Sequence, residues 1–133
     1  MTPGQRTELE SLLESVRQRL AAAEAGLVAE HDAVVEASAD ANLDDEHDPE
    51  GATVGFERAR VASLLAQVRR HGTEVEEALE RLRAGVYGTC ERCRRPIDFE
   101  RLAAQPTAVT CVPCAAAQST ALQPPGRKRL NRE

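Results

Sequence analysis

The chain has 133 residues, a formal net charge of −5, 41% apolar residues and only three aromatics, Phe56, Tyr87 and Phe99. That length leaves no room for a large multidomain enzyme, and so few aromatic rings cannot fill a thick globular core. An acidic balance argues against a generic nucleic-acid binder, which carries a basic face, whereas 22 alanines with abundant Leu, Glu and Arg suit long helices.

The first ten residues contain no apolar stretch of the secretory kind. No run approaches the ~20 apolar residues that span a bilayer. The expectation is a soluble cytoplasmic protein with no membrane partner. From Gln5 to Ala39 there is no proline and a single glycine, Gly26. Steps of four and three pick out Leu9, Leu13, Val16, Leu20, Ala23, Leu27, Glu30 and Val34, a heptad seam with one polar break at Glu30. Its start has two candidate signals. Thr7 with Glu10 could form a capping box, and Thr2 before Pro3 could open the helix instead.

The stretch Asp40–Gly51 is short and polar, as a turn between helices should be. Beyond it a second seam runs through Val54, Arg58, Val61, Leu65, Val68, Gly72, Val75, Leu79, Leu82 and Val86. Gly72 inside this seam suggests a kink or a close helix approach. Gly85, following Arg81 and Arg83, is placed to cap the C-terminus. A short connection makes the two helices antiparallel neighbours, so residues 5–84 read as one helical hairpin whose Leu and Val seams make a stiff rod.

Heptad periodicity stops after Gly85. Asp98 is placed to cap a short helix through Leu102 that Pro106 ends, and a further helix is expected from Cys114 through the alanines to Leu122. Tyr87, Ile97, Phe99, Leu102, Val109 and Val112 are the apolar residues available for a core. The division read from the sequence is a coiled-coil hairpin over 1–85 with an acidic tip at 40–51, a cysteine-bearing unit with a short helix over 86–122, and a disordered basic tail over 123–133.

The cysteines are Cys90, Cys93, Cys111 and Cys114, in the pattern C-x2-C-x17-C-x2-C, which is zinc-site spacing. Cytosolic thiols are kept reduced, so these are metal ligands rather than disulfide partners. Two residues between thiolates let one turn present both sulfurs to one ion, and two such turns complete a tetrahedron. Four protein ligands leave no open position, so the expected cofactor is one structural Zn2+, with metal binding supplying much of the unit's folding free energy. An iron–sulfur centre shares the donor type. His31, His47 and His71 are not needed as ligands. No nucleophile with a paired base and no phosphate loop is visible, so an enzyme is not expected.

The run Tyr87-Gly-Thr-Cys90-Glu-Arg-Cys93-Arg-Arg-Pro96-Ile97, then Glu100-Arg-Leu102-Ala-Ala-Gln-Pro106-Thr-Ala108, then Cys111-Val-Pro-Cys114, resembles the C4 zinc finger of the DksA/TraR family. Arg94 departs from the glycine common after such a knuckle, which predicts a strained turn. The resemblance implies an all-α fold, an antiparallel coiled-coil hairpin followed by a small C4 zinc finger with a short C-terminal helix. It also implies a function: direct binding to RNA polymerase, with the coiled coil entering the secondary channel, often together with guanosine tetraphosphate, and no sequence-specific DNA reading. The family tip carries D-x-x-D-x-A. Here Asp45-Glu-His-Asp48-Pro49-Glu50 keeps both aspartates, while a frame two residues later, His47-Asp-Pro-Glu50-Gly-Ala52, keeps an acid and the alanine. Asp44, Asp45, Asp48, Glu50 and Ala52 are therefore the candidate partner-binding residues.

Charge supports attention to this tip. Asp40–Glu50 holds six acids in eleven residues with no Lys or Arg, leaving the rest of the chain at +1. Packed like charges repel, so a cation, a metal-bearing centre or a basic surface would explain them better than folding does. Individually, Asp48 before Pro49 is also a good helix cap. The rival readings are a zinc-finger coiled-coil adaptor for protein interaction, and a nucleic-acid-binding finger using Arg92, Arg94, Arg95 and the basic tail.

Overall fold

The computed structural model describes residues 1–41 and 49–122, with side chains described for residues 1–37 and 52–122. Four helices follow in order: α1 Pro3–Ala41, α2 Pro49–Ala84, α3 Phe99–Ala104 and α4 Val112–Ala121. Among the described residues there is no β-strand, only an isolated antiparallel bridge between Thr89 and Pro96. The architecture is a two-helix hairpin with a small finger at its base.

α1 opens with a capping box at the earlier of the two candidate starts. The Thr2 N–H donates to Gln5 Oε1 at 2.9 Å, and the Gln5 N–H donates to Thr2 Oγ1 at 3.1 Å. Pro3 takes the first helical position, where its missing N–H costs nothing. At ~1.5 Å per residue, the 39-residue helix is about 58 Å long.

Three ion pairs cross between α1 and α2: Arg17–Glu76 at 2.7 Å, Glu24–Arg69 at 3.0 Å and Glu30–Arg60 at 2.8 Å. Numbers rise along one helix as they fall along the other, so the helices are antiparallel. These side chains are roughly half exposed, so solvent screening leaves each pair little net stabilisation. Their role is register. Glu30, the polar break in the first seam, belongs to this set, and it lies at the surface rather than in the seam.

Burial is graded along the rod. At the base Leu9, Leu13, Val75, Ala78, Leu79 and Leu82 are buried, whereas further out only Val61 is fully covered among the described residues. A helix in a two-helix rod is covered on one side only. At the base the finger supplies a further layer, and α1 also contacts α3. Gly72 differs from expectation. A Cβ built there meets nothing within 4 Å, so no close helix approach requires glycine.

α2 ends in a Schellman motif. The Val86 N–H bonds the Arg81 carbonyl at 3.0 Å, the Gly85 N–H bonds the Leu82 carbonyl at 3.2 Å, and Gly85 takes φ +76°. Arg6 Nη2 also donates to the Leu82 carbonyl at 2.7 Å, fastening the start of α1 to the end of α2. Because the chain leaves the helix at Gly85, Val86 falls off the seam and is 54% exposed.

Two further expectations are corrected. α4 begins at Val112, not Cys114, because Cys111 is the N-cap and Pro113 fits the first turn. Val112 is 56% exposed and is not core. The finger's buried residues Tyr87, Cys90, Ile97, Leu102 and Ala108 instead join Leu9, Leu13 and the α2 residues in one continuous cluster. The tip residues Asp44, Asp45 and Asp48 lie outside the described residues, as does the side chain of Glu50, and Ala52 is exposed in the first turn of α2. The basic tail over 123–133 lies outside them too.

Candidate metal centre

The first pair of cysteines sits on a tight turn. The Cys90 N–H donates to the Arg95 carbonyl at 2.9 Å, the Arg94 N–H donates to the Cys90 carbonyl at 2.9 Å, and the Ile97 N–H donates to the Gly88 carbonyl at 2.7 Å. Closing this turn requires a left-handed residue, and Arg94 supplies it at φ +62°. For a residue with a Cβ that conformation costs about 1–2 kcal/mol, so the strain read from the sequence is present. Gly88 takes φ +85° for the same reason of turn geometry, and a Cβ there would sit 2.9 Å from the Met1 side chain.

The second pair is carried by a helix start. Cys111 is the N-cap of α4 and Cys114 stands one turn on, with the Ala115 N–H bonded to the Cys111 carbonyl at 2.9 Å. Three contacts hold the two knuckles at a set distance. The Glu91 N–H donates to the Val109 carbonyl at 2.9 Å. Arg101 Nε donates to the Thr110 carbonyl at 2.7 Å, and the Tyr87 hydroxyl donates to the Pro106 carbonyl at 2.7 Å. Leu102, 1% exposed, anchors α3 beneath them. These ties were not derivable from spacing. The signal that could have pointed to them was the Arg-Leu and Pro-Thr-Ala elements themselves, whose residues make or flank each bond.

The result is that the four cysteine sulfurs lie within 4.8 Å of one another. Cys93 Sγ and Cys111 Sγ are 3.7 Å apart. A tetrahedron with Zn–S bonds of ~2.3 Å has edges of about 3.8 Å, so the donor set fits zinc. The same separation is far beyond the ~2.05 Å of a disulfide, and all four cysteines are free thiols. Cys90 is fully buried, Cys111 and Cys114 are partly covered, and Cys93 is exposed.

Electrostatics within the cluster pull in opposite directions. Backbone N–H groups of Cys93 and Cys111 pointing at the Cys90 sulfur bring its pKa down to about 6. Cys114, hydrogen-bonded to the Cys111 sulfur and partly desolvated, is pushed up to about 12. Four thiols crowded together ionise against one another, and a divalent cation among them removes that opposition. His31 pairs weakly with its neighbour Asp32 at 3.9 Å. His71 is exposed on α2, and neither belongs to the cluster.

Residues 85–119 match the family model described as the prokaryotic dksA/traR C4-type zinc finger. An uncharacterized protein of Bacillus subtilis, YteA, is 39% identical over 66 residues, covering 50% of this chain and 28% of YteA. An uncharacterized protein of Aquifex aeolicus is 45% identical over 42 residues, 32% of this chain and 29% of that protein. The chain thus spans less than a third of the length of these curated relatives. The structure of the transcription factor DksA2 from Pseudomonas aeruginosa superposes with a TM-score of 0.76 at 30% identity, covering 91% of this chain and 88% of that one. With four clustered cysteines on a C4-type finger, the cofactor is one structural zinc. The chain belongs to the DksA/TraR family of C4-type zinc finger proteins.

Proposed function

We propose that this protein is a non-enzymatic transcription regulator that binds RNA polymerase directly through its secondary channel. Cys90, Cys93, Cys111 and Cys114 are the four zinc ligands in this reading, and a filled tetrahedron gives the metal a structural role. The observation that carries the proposal is the architecture: a long hairpin, stiffened by its seam and crossed ion pairs, with six acids in the sequence from the end of α1 to the start of α2 and a zinc-clamped base. Likeness to a DksA2 transcription factor over most of both chains supports it. The rod provides reach, the base sets its orientation, and Asp44, Asp45, Asp48, Glu50 and Ala52 form the end that acts near a cation or basic surface. Such work places the protein in the cytoplasm. No described helix is long and apolar enough to cross a membrane.

The test is competition for core RNA polymerase between this protein and a second factor that occupies the secondary channel. Displacement at micromolar concentrations is expected, and guanosine tetraphosphate can be added to the same assay to read its participation. Absence of competition would overturn the channel reading and favour an adaptor.

A further inference from the structure

Two of the three aromatic rings serve the core shared by rod and finger: Tyr87 is buried in it and Phe99 packs against it. Phe56 does neither. It stands on the second turn of α2 and is 76% exposed. A phenylalanine stabilises a fold by being buried, so here it adds little to folding. Singly exposed apolar side chains are ordinary. What sets Phe56 apart is the face it stands on. At about 100° per residue, Ala52, Gly55, Ala59, Ala62, Ser63 and Ala66 fall with it in one arc of about 120°, and all are exposed. Further along α2 the same arc carries Arg70, Glu77 and Glu80. The uncharged face is therefore confined to the outer half of the rod, and the ring is its one large side chain.

The neighbours leave the ring open. Ala52 and Ala59, one turn away on either side, are too short to fold over it. Arg60, also one turn on, is engaged by the carboxylates of Glu57 at 2.6 Å and Glu30 at 2.8 Å. The charge nearby states the partner's chemistry. Asp40–Glu50 holds six acids with no Lys or Arg. Glu50 precedes Phe56 on α2 by six positions, ~9 Å along the axis, close to the ~8 Å screening length at physiological salt. A surface drawn to these acids presents cationic side chains. The face of an aromatic ring is negative by its quadrupole and attracts the same cations at short range. Small neighbours let such a surface approach closely and exclude water, which strengthens that attraction.

We infer that Phe56 is a short-range contact of the outer rod, its ring stacking with an arginine or lysine of the protein surface that receives the acidic end. This rests on the polymerase reading above. The acids draw the cationic surface, and the ring fixes which face of the rod turns towards it.

The experiment measures binding of the full-length, zinc-loaded protein to core RNA polymerase. Phe56→Leu keeps apolar bulk and removes the ring face, whereas Phe56→Trp enlarges that face. Phenylalanine with one, two or three ring fluorines at position 56 keeps the shape while draining the quadrupole stepwise. The expected result is about fivefold weaker binding by Phe56→Leu, binding at least as tight by Phe56→Trp, and a loss of affinity with each added fluorine. Equal affinity throughout, Phe56→Ala included, overturns the inference while leaving the polymerase reading intact. Weaker binding by Phe56→Ala, with Phe56→Leu and the fluorinated proteins like the wild type, overturns it in favour of an apolar pocket. Weaker binding by Phe56→Leu that tracks a lost helical signal, with the fluorinated proteins like the wild type, overturns it in favour of a structural role. A wild-type dimer that Phe56→Ala dissociates, with polymerase binding unchanged, overturns it in favour of a second copy of this chain. A wild type that does not bind polymerase at all removes both readings.

Discussion

The Tyr87 hydroxyl donates a 2.7 Å hydrogen bond to the Pro106 carbonyl, joining the segment that enters the first knuckle to the loop that precedes the second. The ring is buried in the cluster shared by rod and finger. Replacing it by phenylalanine keeps the ring and removes the donor. Tyr87→Phe should lower stability by about 1 kcal/mol, the usual net worth of such a bond, measured by urea denaturation of the zinc-loaded protein. An unchanged midpoint would show that the bond does not hold the knuckles together.

Tyr87 is also the only tyrosine, and there is no tryptophan, so its ionisation can be followed alone by absorbance at 295 nm. Burial pushes its pKa from about 10 up to about 12. Below pH 10 the phenol is neutral in both folded and unfolded chains, and its contribution to stability is complete. Between pH 10 and 12 the unfolded chain loses the proton first, so stability falls as pH rises. A titration midpoint near 10 in the folded protein would contradict the burial of this ring.

Gly72 lies inside α2 with open space where a Cβ would stand. Gly72→Ala should therefore raise stability by about 1 kcal/mol through helix propensity alone. Circular dichroism during urea unfolding checks this. A loss of stability would mean that some close approach requires glycine after all.

Arg94 offers the opposite kind of test. Arg94→Gly relieves the left-handed strain but loosens the unfolded chain, and the net gain expected is up to about 1 kcal/mol. Arg94→Val should cost more than that amount, since a β-branched residue is still less tolerant of positive φ. If both variants matched the wild type in thermal unfolding, the turn would not hold φ near +62°.

Removing zinc with a chelator should separate the two parts of the molecule spectroscopically. α1 and α2 are 39 and 36 residues long and contain no metal ligand, so most helical signal should persist. The finger should lose its ordered packing, seen as a collapse of the Tyr87 near-ultraviolet signal. The rod should also melt at lower temperature, because its base shares one core with the finger. Full retention of the melting temperature would show that the two cores are energetically separate.

Much of this was legible along the chain because the relevant physics is local. Heptad spacing marks helices, Gly85 marks a helix end, and paired C-x2-C motifs mark a metal, since each depends on residues a few positions apart. Arg94 in place of glycine disclosed a strained turn by the same logic. What failed to show locally were choices between equivalent signals. Thr2 before Pro3 and Thr7 with Glu10 are equally good starts along the chain, and only the folded helix, with its Thr2–Gln5 box, distinguishes them.

The sequence by itself determined that two long helices pair and that four cysteines gather on a C4-type finger. Only the tertiary structure decided that the finger is not a free-standing module. Leu9 and Leu13 from the start of the chain reach full burial against residues more than sixty positions later, and Arg6 closes the carbonyl of Leu82. A two-helix rod cannot cover its own base on every side, and a finger of few large side chains cannot bury its own core. Each supplies the missing layer of the other, a consequence of packing in three dimensions that no periodicity along one helix encodes.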